Sequence, residues 1–61
     1  MYSVNYRYSD EQANTTLYCS QINFKSTINV LTVLTDEKEW VVLDLGKLEE
    51  LDIHKMELKD I

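Results

Sequence analysis

Tyr2, Val4, Tyr6 and Tyr8 alternate with Ser3, Asn5 and Arg7 at the start of the chain. A period of two places the large residues on one side of an extended backbone and the polar ones on the other, an arrangement that a helix does not produce. The chain therefore opens with a strand, and the remainder of its 61 residues must supply that strand's partners. A chain of this length buries only about 60% of the surface it exposes when unfolded, so residues 1–61 are expected to form one small domain.

The polar run Ser9-Asp10-Glu11-Gln12-Ala13-Asn14 predicts a hairpin loop. Thr15 to Phe24 predicts a second strand, with Tyr18, Ile22 and Phe24 on one parity, Leu17 and Cys19 on the other, and a twist midway. From Ser26 the pattern changes. Ile28, Val30, Leu31, Val33 and Leu34 break period-two phase and fit a helical stripe, with Ser26 or Thr27 as N-cap. The fold class this predicts is α+β, a small antiparallel sheet in the order β-β-α-β-β with one short helix. The β-branched residues Thr27, Ile28, Val30, Thr32, Val33 and Thr35 argue the other way. The alternative is an all-β five-stranded meander or barrel, in which residues 27–35 form a strand joined through a turn at Asp36-Glu37-Lys38-Glu39 to Trp40–Leu45.

Trp40 to Leu45 is a strand by composition, and Gly46, the only glycine, predicts a positive-φ turn at its end. Lys47 to Glu50 reads as a helical turn or a loop. Leu51, Ile53, Met56 and Leu58 predict a last strand, with a bulge around His54 and Lys55 to reconcile their phases.

A single cysteine, Cys19, permits no intramolecular disulfide, and small secreted domains usually need several, so a cytoplasmic location is expected. The first ten residues hold no apolar run of signal-peptide length, and stretches such as Trp40–Leu43 fall far short of the roughly 20 residues of a membrane span. Asn14-Thr15-Thr16 matches a glycosylation sequon that has no meaning without a secretory route.

Catalysis needs convergent groups, and the chain has one histidine, His54, and one cysteine on different predicted strands with no glycine-rich loop. No enzyme activity, metal or other cofactor is expected: Cys19 reads as a small buried hydrophobe and His54 as a solvated strand residue. Tyr2, Tyr6, Tyr8 and Tyr18 admit two readings, a stacking platform or a core face. The lack of a basic groove favours the core face.

Charge carries the functional reading. Residues 1–35 are balanced, with Asp10 and Glu11 against Arg7 and Lys25, so the whole net charge of -5 falls in residues 36–61. Such a balance repels nucleic acid and anionic lipid and attracts a protein partner with a basic surface. The candidate partner-binding residues are Asp36, Glu37, Glu39, Asp44, Glu49, Glu50 and Asp52. Carboxylates spaced along turns and strands mimic phosphates, which makes DNA mimicry the physical form of the hypothesis. The bland reading is that the charge only keeps the domain soluble. A homodimer is a further expected partnership, because a core this small is marginal unless it is shared.

Strand, loop, strand, short helix, strand, ending in the acid, apolar and lysine mixture Glu50-Leu51-Asp52-Ile53-His54-Lys55-Met56-Glu57-Leu58-Lys59-Asp60-Ile61, resembles the small acidic inhibitors that bacteriophages make to take over their hosts. The nearest named case is the phage inhibitors of uracil-DNA glycosylase, dimeric DNA mimics. The same features point equally to phage inhibitors of RNA polymerase, nucleases or CRISPR effectors. Ser26 to Thr35 lacks the aromatic and acidic residues with which those glycosylase inhibitors' helix meets its target, so no target contact carries over. The resemblance implies a non-enzymatic inhibitor of a host nucleic-acid-processing protein. The rival functions are an antitoxin or immunity-type protein against a basic toxin, and a structural module that dimerises or adds an edge strand through residues 2–8 or 51–58.

Overall fold

The computed structural model describes residues 1–56. They form β1 (Tyr2–Tyr8), β2 (Thr15–Lys25), β3 (Val30–Thr35), β4 (Trp40–Asp44), a single 3-10 turn (Leu45–Lys47) and β5 (Leu48–Lys55). All strand pairs are antiparallel, and the five strands lie in one open sheet in the order β4-β3-β2-β1-β5.

The α+β expectation is overturned. The stretch read as a helix is a turn followed by β3, and the all-β alternative describes the molecule. The reason lies in the burial of β3. Leu31, Val33 and Thr35 are buried on one face, while Val30, Thr32 and Leu34 are half-buried on the other. A strand apolar on both faces loses its period-two signature, and the adjacent apolar pairs then imitate a helical stripe.

Residues opposite one another across a ladder share a face. The inner face carries Tyr2, Val4 and Tyr6 of β1 opposite Cys19, Leu17 and Thr15 of β2. It continues through Ile22 and Phe24 opposite Val33 and Leu31, and then to Val41 and Leu43. Val4, Cys19, Leu31, Val33 and Leu43 are its buried core, with Tyr6, Leu17, Ile22, Val41, Leu45 and Leu48 packed around them.

Two bulges set these faces. Ser20 is the extra residue where the β2–β3 register shifts between Cys19 and Gln21, so Leu17 and Ile22 reach the same face while Tyr18 turns outward. The expected parity grouping of Tyr18 with Ile22 and Phe24 is corrected accordingly. The second bulge is at Glu49, where Arg7 faces Glu50 and Tyr8 faces Leu48. It does not lie at His54 and Lys55, which pair regularly with Ser3 and Tyr2, and Leu58 lies outside the described residues.

The sheet is curled. In a flat sheet β4 and β1 would stand three strand spacings, about 14 Å, apart. Here the Asp44 amide donates to Tyr8 Oη at 3.1 Å, and the 3-10 turn ties the same end through Leu45 N to Asn29 O (3.1 Å) and Ser9 N to Lys47 O (3.1 Å). Asp44 Oδ1 caps the turn by accepting from Gly46 N at 3.0 Å. Gly46 itself has no positive φ; Asn29 (φ 53°) and Lys38 (φ 63°) occupy the left-handed region instead. No helix among the described residues is long and apolar enough to cross a membrane.

Candidate functional site

The seven carboxylates proposed for partner binding fall into separate places. Asp36, Glu37 and Glu39 stand together on the β3–β4 turn, all exposed. The turn is tightly built: Lys38 N donates to Thr35 O (2.9 Å), Thr35 N to Glu39 O (2.9 Å), Glu39 N to Thr35 Oγ1 (3.2 Å) and Asp36 N to Tyr18 O (2.9 Å). Buried Thr35 thus anchors the turn from both its backbone and its hydroxyl, and the left-handed Lys38 closes it. The three acids are held on a rigid platform.

Beside them a groove of about 350 Å³ is lined by Thr16, Leu17, Tyr18, Thr35, Val41 and these same acids. Its apolar part comes from Leu17 and Val41, and Tyr18 lies along it because the Ser20 bulge turns that residue out of the core. Trp40, 55% exposed, follows the turn directly on the outer face opposite Leu34, with Val42, 61% exposed, two residues on. Periodicity did not expose Tyr18, Leu17 and Val41 as groove residues, because no local signal marks a bulge at Ser20.

Glu49 and Glu50 lie at the opposite end of β1. Arg7 pairs with both, at 3.9 Å to Glu49 and 3.7 Å to Glu50, and these are the ion pairs of the described residues. Asn14 Nδ2 donates to Glu50 Oε2 at 3.0 Å and to Asn5 Oδ1 at 2.6 Å, while Asn5 Nδ2 donates to Thr16 Oγ1 at 2.7 Å. The Asn14 hydrogen bond and the Arg7 charge hold the Glu50 carboxyl below its ordinary value. These acids therefore belong to a polar network across the outer face. Asp44 is half-buried and occupied as the cap of the 3-10 turn. Asp52 is exposed on the outer face of β5, opposite Asn5.

Thr35 pairs with Cys19, which pairs with Tyr2, so the acidic turn sits at the Tyr2 end of β1. Five residue steps separate Tyr2 from Arg7, about 17 Å along a strand. The two acidic groups are therefore not one continuous patch. A cleft of about 580 Å³ beside Tyr8, Ser9, Asp10, Asp44 and Lys47 marks the Arg7 end and carries both signs of charge.

Cys19 and His54 stand on opposite faces of the sheet. The thiol is fully buried on the inner face, and the imidazole is exposed on the outer. Burial, with the nearby Asp36 charge, pushes the Cys19 thiol up, away from the thiolate that nucleophilic chemistry requires. No group of three or more His, Cys, Asp or Glu able to hold a metal occurs among the described residues. Tyr2, Tyr6 and Tyr8 are half-buried, with Tyr6 and Tyr8 in edge-to-face contact at 5.8 Å between centroids, whereas Tyr18 is exposed.

Comparison with family models, with curated proteins and with solved structures yields no match.

Proposed function

We propose that this chain is a non-enzymatic inhibitor that binds a protein with a basic, nucleic-acid-handling surface, and that the β3–β4 turn is where it binds. The observation that carries the reading is the exposure of Asp36, Glu37 and Glu39 on a rigid turn, where no lysine or arginine pairs with them among the described residues. Unpaired, preorganised carboxylates attract a cationic partner without first breaking internal contacts. The groove alongside supplies what a bare charge cluster lacks: Leu17 and Val41 receive the aliphatic stem of a partner lysine or arginine while its head meets the acids. Exposed Trp40 and Tyr18 add the large side chains that dominate protein interfaces. On this reading the turn stands in for phosphates, a local form of DNA mimicry. Glu49, Glu50 and Asp44 serve the fold.

The test is affinity capture from a bacterial lysate on the immobilised chain, comparing wild type with the triple variant Asp36→Lys, Glu37→Lys, Glu39→Lys, whose folding is checked by circular dichroism. The expected result is a DNA- or RNA-binding protein retained by wild type, released by duplex DNA or by salt, and lost with the variant. Equal retention by both chains, or release by neither DNA nor salt, would overturn the proposal.

A further inference from the structure

Among the described residues β5 hydrogen-bonds to β1 on one side only, which leaves its other side as an edge of the described sheet. The phase of the ladder shows what that edge offers. Met56 N donates to Met1 O at 2.8 Å, and bonding alternates along an antiparallel pair. Glu50, Asp52 and His54 therefore spend their backbone groups on β1, while Leu51, Ile53 and Lys55 point their N–H and C=O groups outward. The irregularity at Glu49 comes before this stretch, and no proline protects it. On the inner face Leu51 and Ile53 sit opposite Tyr6 and Val4, so they extend the core surface to the edge, where they remain 37% and 43% exposed.

We infer that this edge pairs with β5 of a second copy, antiparallel, about a twofold axis at Ile53. The occupant follows from the order of the strand, with carboxylate acceptors in its first half (Glu49, Glu50, Asp52) and the imidazole and ammonium donors of His54 and Lys55 in its second, which makes it complementary to itself when reversed. A twofold axis normal to the sheet keeps inner residues opposite inner residues, so only registers centred on a residue are allowed. Centred on Asp52, the two Asp52 carboxylates meet at the closely spaced, non-hydrogen-bonded position. Centring on Leu51 sets Glu50 against Asp52 twice, and centring on His54 sets histidine against itself and shortens the overlap. Centring on Ile53 puts Ile53 on Ile53, lays each Lys55 stem over a Leu51, and brings each Asp52 beside a His54 imidazole that donates to it. The outward backbone groups of Leu51, Ile53 and Lys55 then complete the ladder between the copies. Glu50 keeps its Arg7 and Asn14 contacts. The inner faces of the two sheets run together across the axis, which covers the exposed Leu51 and Ile53.

Sedimentation velocity of the full chain over a concentration series tests the pairing, with circular dichroism confirming that each variant folds. Wild type is expected to shift from monomer to dimer with rising concentration, and Ile53→Lys, which sets two ammonium groups at the axis, to remain monomeric. Asp52→Lys is expected to weaken the dimer by about tenfold, and the double variant Asp52→Lys with His54→Asp to restore it, because donor and acceptor then exchange places. The register has its own readout. Under mild oxidation Ile53→Cys should cross-link to its copy, since about 5.5 Å between opposed Cα atoms suits a disulfide, and should do so faster than Asp52→Cys. A chain that stays monomeric to about 1 mM, a dimer indifferent to Ile53→Lys, or preferential cross-linking through position 52 would overturn the inference.

Discussion

Tyr8 Oη accepts a hydrogen bond from the Asp44 amide at 3.1 Å, joining β1 to β4 although β2 and β3 lie between them in the sheet. This contact closes the curl that turns a single sheet into something with an inside. Tyr8→Phe keeps the ring and removes the acceptor, leaving a half-buried amide unpaired. Its expected cost is about 1 kcal/mol, read as a lowered urea midpoint with an unchanged slope. A midpoint equal to that of wild type would show that apolar packing alone holds the curl.

Glu50 predicts how stability responds to acid. Its carboxyl is depressed in the folded chain by the Asn14 hydrogen bond and by Arg7. A group whose folded value lies below its unfolded one stabilises the fold above the unfolded value, and that contribution is lost as pH falls through the folded one. Stability should therefore decline as pH drops below the ordinary glutamate value of 4.5. Glu50→Gln should flatten that part of the decline, as followed by thermal melts across the acid range. An NMR titration showing Glu50 at its ordinary value would remove the basis for this expectation.

Cys19 should be chemically silent while the chain is folded. It is fully buried, and burial with the Asp36 charge disfavours its thiolate. A thiol reagent such as DTNB at mildly alkaline pH is expected to label the native chain only through transient unfolding, and the denatured chain at once. Rapid labelling of the native chain would mean that the inner face opens readily around Cys19.

Lys38 holds a left-handed conformation, φ 63°, that a residue with a Cβ adopts at a cost. Lys38→Gly relieves it, offset in part by the greater freedom of glycine in the unfolded chain. The net gain expected is up to about 1 kcal/mol, visible as a raised melting temperature. A lowered one would show that the Lys38 side chain contributes more to the turn than its backbone costs.

Much of the architecture can be read locally. β1 spans Tyr2–Tyr8, where the alternation placed it, and the Ser9–Asn14 loop and the Trp40 start of β4 also coincide with composition. β3 does not read correctly, because Val30 and Leu34 on one face and Leu31 and Val33 on the other are all apolar, and a two-sided strand carries no periodic mark. The positive φ assigned to Gly46 belongs instead to Asn29 and Lys38, since the 3-10 turn needs only ordinary dihedrals once Asp44 caps it. Sequence order offers the seven candidate acids as one set, of which Asp36, Glu37 and Glu39 stand together on one turn. Whether Glu49 and Glu50 belong with them depended on Arg7, more than forty residues away in the chain.

Composition and short-range pattern by themselves determined a small acidic domain that opens with a strand and carries its net charge in its second half, because those properties are sums and periodicities over neighbouring residues. Tertiary structure alone decided that Tyr18 faces outward, that Arg7 claims Glu49 and Glu50, and that β5, with Ile53, is an outer strand of the described sheet. Each of these depends on which strand lies beside which and on one extra residue at Ser20 or Glu49. A single-residue slip inverts every side chain beyond it at little local cost, so only the packing of Val4, Val33 and Leu43 against one another selects the faces.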